Sequence, residues 1–559
     1  MAVAAVTPIV VRWLGNPPDQ RLVDLEVYRE GGRAVLRGAP LYDFLTQPPQ
    51  LLPFTYPPIA AVLAVPFTLL PWRAAQWAWT GLIYVALAIV VWYAFRDLIR
   101  RTGRWAPLTA GVLFAAMAWL DPVRDQVRFG QVGLFLLAMC LADCCARTAR
   151  WPRGALVGLA LAIKLVPGVF LVYFLITGRR EALANAVLTA AAATLAGFAL
   201  LPSDSSGFWF GALLQGGDRT GAVDGTTNQA IHGIVARILD EGPARTFVWL
   251  SFALVVACFG FAWARRATLA ADAATGTDSA SLLLAGVAIV GLLSVVLSPV
   301  GWIHHLVWMI AVVGALAGDG RDTRRCLFAC GLWLLFLFPI PWWARALIGP
   351  DHSTVSVFAG SVLRDTFGIA ALVSILARHL ARETARSGHQ ARGSFATAGR
   401  DGYAQLVMLV AVAVAGLVAG VAGLSIAVVA HNRVNQVVDE CGEMLRRQLQ
   451  VASGSVDERA LRDLAIVHYD ALKEMSGHRS FSLALINAVG DGVIVSSING
   501  RTETRTYAKA VQAGHAVETL SPEENQVLRA ARLGKGPVVS MDDPLPDFGN
   551  GDRTPTARA

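Results

Sequence analysis

The chain has 559 residues, of which 55% are hydrophobic and only 16% charged, with a mean hydropathy of +0.51. Soluble globular domains carry about 25% charged residues, so an ordinary water-soluble enzyme is excluded. The formal charge of +8 is unevenly spread: residues 431–559 hold 15 Lys/Arg and 17 Asp/Glu, the first 430 residues hold 33 and 23, and all 16 tryptophans lie at or before Trp343. The chain therefore reads as a polytopic α-helical membrane body followed by a soluble tail of roughly 130 residues, enough for one small domain.

In chain order, apolar runs fall at about 4–14, 57–70, 74–95, 106–120, 131–145, 154–177, 182–201, 246–264, 281–300, 302–318, 326–341, 354–378 and 404–430. A spanning helix needs about 20 apolar residues, so several of these 11–13 segments are too short to cross straight and are expected to be broken or re-entrant. The first run stops at Gly15 and has no signal-peptide cleavage pattern, and is expected to be an anchor remnant. Arginines set the orientation. Arg96, Arg100, Arg101 and Arg104 put the 95–105 loop inside, as Arg147, Arg150 and Arg153 do for 145–154; Arg265/Arg266, Arg321/Arg324/Arg325 and the 378–400 stretch mark further inside loops. The basic isoelectric point of 9.3 belongs to this pattern and not to a nucleic-acid surface.

One run conflicts with that threading. Arg179 and Arg180 also belong inside, yet a single apolar run separates them from Arg153. The conflict disappears if 154–177 does not cross. Its centre reads Ile163-Lys164-Leu165-Val166-Pro167-Gly168, a charge followed by a helix breaker. The spacing predicts a V-shaped pair of short helices with Lys164 at the apex, buried in the bundle, the setting in which irregular backbone is tolerated at membrane depth. The polar segments 16–56, 121–130 and 202–245, with the turn before His304, then share the outer face.

Lys164 is the only lysine in the first 430 residues, against 32 arginines. An ionisable group deep in an apolar run marks function by default; a snorkelling lysine would sit nearer a helix end. Asp24, just past the first run, suits a general base on a sugar hydroxyl, but taken alone it reads more readily as a loop aspartate or an N-cap for a helix over 25–36. Arg124 and Arg128, four residues apart, suit a phosphate and suit pairing with Asp121 and Asp125 equally well. Gln131 opens an apolar helix as a cap or a ligand contact. His304 and His305 point about 100° apart on a helix, so one contacting a phosphate while the other packs is a better arrangement than joint metal ligation. Asn228 and Gln229 fit sugar hydroxyls or an ordinary cap. The seven cysteines show neither disulfide nor zinc spacing, and no metal or other cofactor is expected.

Together these segments resemble glycosyltransferase family 87 of the GT-C superfamily, the polyprenol-phosphate-mannose-dependent α-mannosyltransferases of actinobacteria. The resemblance runs over about 23–376. It is carried by Asp24-Leu25 with Val27-Tyr28, Gly31-Gly32, Leu41-Tyr42-Asp43, Phe54-Thr55-Tyr56-Pro57-Pro58, Gly130-Gln131, Ala162-Ile163-Lys164 with Pro167, Asn228-Gln229, and Ser298-Pro299 with His304-His305. Two positions depart from the family pattern, Gly133 in place of Asn and Gly301 in place of Ser. The resemblance implies a GT-C fold and inverting transfer of a hexose, most often mannose, from a polyprenyl-phosphate sugar to a glycolipid or glycan acceptor on the extracytoplasmic face. It places the catalytic aspartate on Asp24. It also implies that Arg128, Lys164, His304 and His305 neutralise the leaving phosphate, that Gln131, Asn228 and Gln229 hold hydroxyls, and that Tyr28, Tyr42 and Tyr56 line the substrate. A transporter or lipid-carrier flippase is the rival reading, sharing the apolar body and buried lysine but not the large outer loops.

The body is thus expected over 1–400, with 401–430 as an additional anchor. Residues 401–559 are similar to the domain-of-unknown-function family numbered 4446, on Val467-His468-Tyr469-Asp470-Ala471, 479–485, 495–501 and Tyr507-Ala508-Lys509. A small α/β domain is expected over 431–535. Within it, 431–450 has apolar residues at helical spacing and is a candidate for self-association. A hairpin is expected over 480–487 and 492–498 around Gly490-Asp491-Gly492, and a helix should start at Ser521-Pro522. The Pro/Asp/Gly-rich 536–559 is expected to be disordered.

Overall fold

The computed structural model describes residues 2–17, 20–213, 222–348, 353–376, 442, 460–469, 480–500, 503–536 and 538–539. The chain divides into two compact units, 1–401 and 402–559. The candidate anchor 401–430 and the candidate self-association helix 431–450 lie outside the described residues, apart from Gly442.

Among its described residues, the regular structure of the first unit is helical. α1 (Ala2–Leu14) is followed by α2 (Val23–Arg37), α3 (Pro58–Thr68) and the long α4 (Trp72–Arg101), then by α5 (Ala106–Ala118), α6 (Asp121–Phe129) and α7 (Gly133–Cys145). Next come α8 (Ala155–Ile163), α9 (Val169–Ile176), α10 (Arg180–Leu200), α11 (Pro202–Gly207) and α12 (Ile231–Ala236). The helical hairpin of α13 (Pro243–Ala273) and α14 (Gly276–Val296) is followed by a 3-10 turn (Ile303–Trp308) that leads into α15 (Met309–Ala317). The body closes with α16 (Thr323–Leu337), α17 (Ile340–Trp343), α18 (Thr354–Arg364) and α19 (Thr366–Leu376). Among the described residues, α4, α10, α13 and α14 are long and apolar enough to cross a membrane. Three bent pairs, α5/α6 at 73°, α16/α17 at 49° and α18/α19 at 62°, raise the number to seven if each is one span. α14 is the central post, buried almost without interruption from Ser281 to Val296.

The polar segments do gather at one end. Leu22 N–H donates to the Arg128 carbonyl at 3.2 Å, Leu41 N–H to Asp204 Oδ1 at 2.8 Å, and Asn228 bridges Trp302. The arginine loops gather at the other. Arg147 pairs with Asp97 at 3.1 Å, Arg101 reaches the Asp319 carbonyl at 2.9 Å, Arg179 pairs with Asp272 at 3.1 Å and Arg265 reaches the Ile176 carbonyl at 2.8 Å. One cavity at the arginine end is lined both by Arg153 and Gly154, where α8 begins, and by Phe174, Gly178 and Arg179, where α9 ends. The 154–177 segment therefore leaves and returns at the same end. Between its two helices Lys164 is extended, with φ −149° and ψ 132°, and the Val166–Gly168 turn carries Pro167, which has no N–H to continue the α8 ladder.

Among its described residues, the second unit holds a six-stranded sheet in the order β5-β4-β3-β2-β1-β6, made of β1 (Leu461–Tyr469), β2 (Ser480–Asn487), β3 (Gly492–Asn499), β4 (Thr504–Gln512), β5 (His515–Ala516) and β6 (Val538–Val539). The expected hairpin forms with Leu485 opposite Val493. α20 (Pro522–Leu533) starts on a capping box between Ser521 and Glu524. It packs Val527, Leu528, Ala530 and Ala531 against Ala465, Val467, Ala484 and Ile486. The expectation of disorder from 536 onward needs correction at its start. Val538–Val539 run parallel to Ile466 and Val467, because the chain leaving α20 returns beside β1 and finds an unpaired edge there.

Candidate functional site

The site is assembled where α2 meets the start of α7 and the break after α8. α2 begins with two acidic residues, Asp24 and Glu26, in its first turn, and ends at Gly38. Its paired glycines let it lie hard against α3: a Cβ on Gly31 would fall 2.8 Å from the Phe54 ring, and one on Gly32 2.9 Å from Thr68 Cγ2. That close approach carries Asp24 and Tyr28, one turn apart on the same face, into the interior.

Asp24 does not cap its helix; its carboxylate is bonded to the Gln131 amide and feels the charge of Lys164. It is half-buried, set deep in protein while keeping a path to solvent. α2 is not a membrane-spanning segment, and there burial pushes the Asp24 carboxyl up to about 6, against the opposing pull of Gln131 and Lys164. The Tyr28 hydroxyl lies 2.9 Å from that of Tyr56, and the two hydroxyls reach Gln131 Oε1 at 3.2 Å and 3.3 Å. Lys164 Nζ donates to the Tyr56 hydroxyl at 3.4 Å, sits 5.1 Å from the centre of its ring and lies 3.2 Å from His305 Nε2. A carboxylate, two phenols, an amide, an ammonium and an imidazole thus form one connected polar cluster from five separate chain segments.

The remaining expected residues divide. Tyr42 supports the cluster from behind, donating to the Tyr56 carbonyl at 2.8 Å and stacking on Phe208. His304 packs on Phe129, and its Nε2 is buried without a partner among the described residues. Of the two histidines, His305 is the one within hydrogen-bond distance of Lys164. Arg128 is not bonded to the cluster. It lies 3.9 Å from Asp125 and stacks over Trp13 and Phe129, and Arg124 pairs with Asp121 at 2.9 Å.

Asn228 and Gln229 are fully buried and engaged by backbone. Asn228 Nδ2 donates to the Val223 carbonyl at 2.8 Å, and its Oδ1 accepts from Gly301 N–H at 2.9 Å. Gln229 Nε2 donates to the Thr226 and Arg364 carbonyls, and its Oε1 accepts from Gly368 N–H at 2.8 Å. Both amides bracket the polar loop onto the α14–α15 turn and the α18–α19 bend. In this conformation their polar groups are occupied by the protein itself.

Three residues that sequence reading passed over support the site. Trp79 lies against Tyr28 and donates to the Gly130 carbonyl at 2.8 Å; Gln126 holds the His304 carbonyl at 2.7 Å; Arg237 pairs with Asp365 at 2.5 Å, deeply buried. Of these only Gln126, a second amide five residues before Gln131, left a visible signal. Among the described residues, no group of three or more His, Cys, Asp or Glu side chains is placed to hold a metal ion.

Residues 54–299 match Glycosyltransferase family 87, and residues 417–532 match a protein family of unknown function, DUF4446. The chain is 36% identical over 405 residues to a polyprenol-phosphate-mannose-dependent alpha-(1-2)-phosphatidylinositol mannoside mannosyltransferase of Mycolicibacterium smegmatis, covering 67% of this chain and 88% of that relative. It is 36% identical over 382 residues to a protein of the same description from Mycobacterium tuberculosis, covering 63% and 86%. It is 34% identical over 337 residues to a phosphatidylinositol pentamannoside mannosyltransferase of M. smegmatis, covering 58% and 77%. No solved structure matches the chain. With most of a relative's length matched and an apolar helical body around one polar cluster, this membrane protein belongs to glycosyltransferase family 87.

Proposed function

We propose that the chain transfers mannose from a polyprenyl-phosphate mannose donor to a phosphatidylinositol-mannoside-like glycolipid acceptor, on the extracytoplasmic face, by a single inverting displacement. The observation that carries this reading is the cluster in which a half-buried carboxylate, Asp24, and the lone lysine of the body, Lys164, meet through Gln131, Tyr28 and Tyr56. The names of the relatives supply the sugar, the donor and the acceptor class. The face is inferred from charge: the cluster sits among polar loops at the end away from the arginines, which favour the cytoplasm.

In this reading the acceptor hydroxyl hydrogen-bonds to Asp24 and gives it a proton as its oxygen attacks the anomeric carbon. The bond from that carbon to the phosphate oxygen breaks, and the polyprenyl phosphate leaves with the electron pair. Lys164, with His305 beside it, stabilises the charge developing on the leaving oxygen, the kind of preorganised contact that lowers such barriers most. Tyr28, Tyr56 and Gln131 hold the base and the cation apart and oriented. Arg128 stands at the rim, where release from its loose contact with Asp125 would let it meet a phosphate.

The test is transfer from radiolabelled polyprenyl-phosphate mannose to a phosphatidylinositol mannoside acceptor by the purified full chain in nanodiscs, with Asp24→Asn alongside. Transfer by the wild type, lost in the variant while donor binding persists, is the expected result. Transfer that survives the substitution would discard Asp24 as the base. Absence of transfer from the wild type would discard the substrate pair.

A further inference from the structure

At the arginine end, between the feet of the Lys164 hairpin, lies a cavity of about 540 Å³ bounded by the end of α7, the starts of α8 and α10, and α14. Its polar lining is three arginines, Arg153, Arg179 and Arg180, and two acids, Asp143 and Glu181. Asp143 is already saturated: its oxygens accept from the N–H groups of Gly154 at 2.9 Å and Val157 at 2.9 Å and from the Trp151 indole at 3.2 Å. Arg153 donates to the carbonyls of Asp143 and Ala146, which fix its guanidinium without neutralising it. Arg179 divides its donors between the Tyr173 hydroxyl at 2.8 Å and Asp272 at 3.1 Å. The Arg180 side chain is exposed and has no ion pair among the described residues. α10 also starts beside the cavity, without a capping side chain. Phe174 and Leu283 make the remaining wall apolar.

We propose that this cavity binds a phosphate group, held between Arg153 on the α8 side and Arg179 and Arg180 on the α10 side. Guanidinium forks match phosphate oxygens bidentately. A phosphate there would tie together the two feet of the hairpin whose apex is Lys164. The same chemistry is offered by an anionic phospholipid headgroup, to which basic pockets at the cytoplasmic ends of helices are suited, and by free inorganic phosphate. This site lies at the end opposite Asp24 and does not depend on the proposed transfer reaction.

The experiment uses the full chain in phosphatidylcholine nanodiscs and has two arms. One adds spin-labelled phosphatidylglycerol and reads the motionally restricted fraction against spin-labelled phosphatidylcholine. The other measures saturable binding of radiolabelled inorganic phosphate. Each is repeated with Arg180→Gln, with Arg153→Gln, and with Arg324→Gln, an exposed arginine outside the cavity. Because Arg153 also braces two carbonyls, Arg180→Gln carries the decision. The expected result is selective binding in at least one arm, weakened about fivefold by Arg180→Gln and unchanged by Arg324→Gln. Restriction of the labelled lipid identifies the headgroup as the source, and phosphate binding identifies the free anion. Absence of selectivity in both arms, or equal loss with Arg324→Gln, would overturn the proposal.

Discussion

Asp24 and Lys164 are each unfavourable where they stand unless their charges are used. The carboxylate of Asp24 is pushed up to about 6 chiefly by burial. In the unfolded chain it releases its proton near 3.8, so the fold gains most from this residue below that pH and loses the gain as pH rises through about 6. Two outcomes follow for the residue. Asp24→Asn raises stability at neutral pH by about 1–3 kcal/mol, read as a higher thermal midpoint in nanodiscs, while lowering transfer by at least about 100-fold. In the wild type, kcat/KM climbs roughly tenfold per pH unit below about 6 and levels above it, the limb expected of a base that must be ionised. A profile flat from pH 5 to pH 8 would remove Asp24 from the chemistry. For Lys164, Lys164→Met lowers kcat by about 100–1,000-fold, and a loss confined to donor KM would instead assign the ammonium to ground-state binding.

Among the elements, the broken hairpin of α8 and α9 decides whether Lys164 arrives at Tyr56 at all. α8 is capped from another helix, by Asp143 of α7, and is pressed against α10 at Gly154, where φ is +96° and a Cβ would stand 1.8 Å from the Ala182 carbonyl oxygen. Backbone blocks that space, so Gly154→Ala cannot be relieved by a rotamer change. The substitution is expected to lower stability by more than about 2 kcal/mol and to reduce activity with it, measured as thermal midpoint and initial rate. Normal stability and rate would mean that the feet of the hairpin are looser than their contacts indicate. In the tail, the equivalent local device is the Ser521–Glu524 box. There Glu524, although burial favours its neutral form, is held below the usual carboxylate range by Lys509 at 2.6 Å, the Ser521 N–H and the Ser496 hydroxyl.

At the scale of the whole molecule, two units with different solvents share one chain. The body buries an apolar core that the surrounding lipid continues, whereas the tail closes its own small core between one sheet and α20. The relatives match 405 residues or fewer, and every residue of the polar cluster lies in the first unit. A chain ending at residue 401 is therefore expected to keep mannosyl transfer in isolated membranes at the full-length rate per molecule. Loss of transfer with normal insertion would show that the tail takes part in the reaction.

What the sequence by itself determined follows from local physics. Apolar runs declare a membrane body, arginines order its loops, and a lysine followed by a proline in one apolar run requires a break wherever the chain goes afterwards. The tail's hairpin and capped helix were legible for the same reason, since turn residues and caps act within a few positions. The tertiary structure alone decided which polar residues meet. Tyr28 and Gln131 are 103 positions apart, and Lys164 and His305 are 141 apart, so no local pattern encodes their contact. The same holds for the residues whose partners come from the protein itself: Asn228 and Gln229 carry amides equally suited to a sugar or to a carbonyl, and Arg128 a charge equally suited to a phosphate or to Asp125. Which partner such a group takes depends on the atoms that packing brings within about 3 Å, and only the folded chain supplies them.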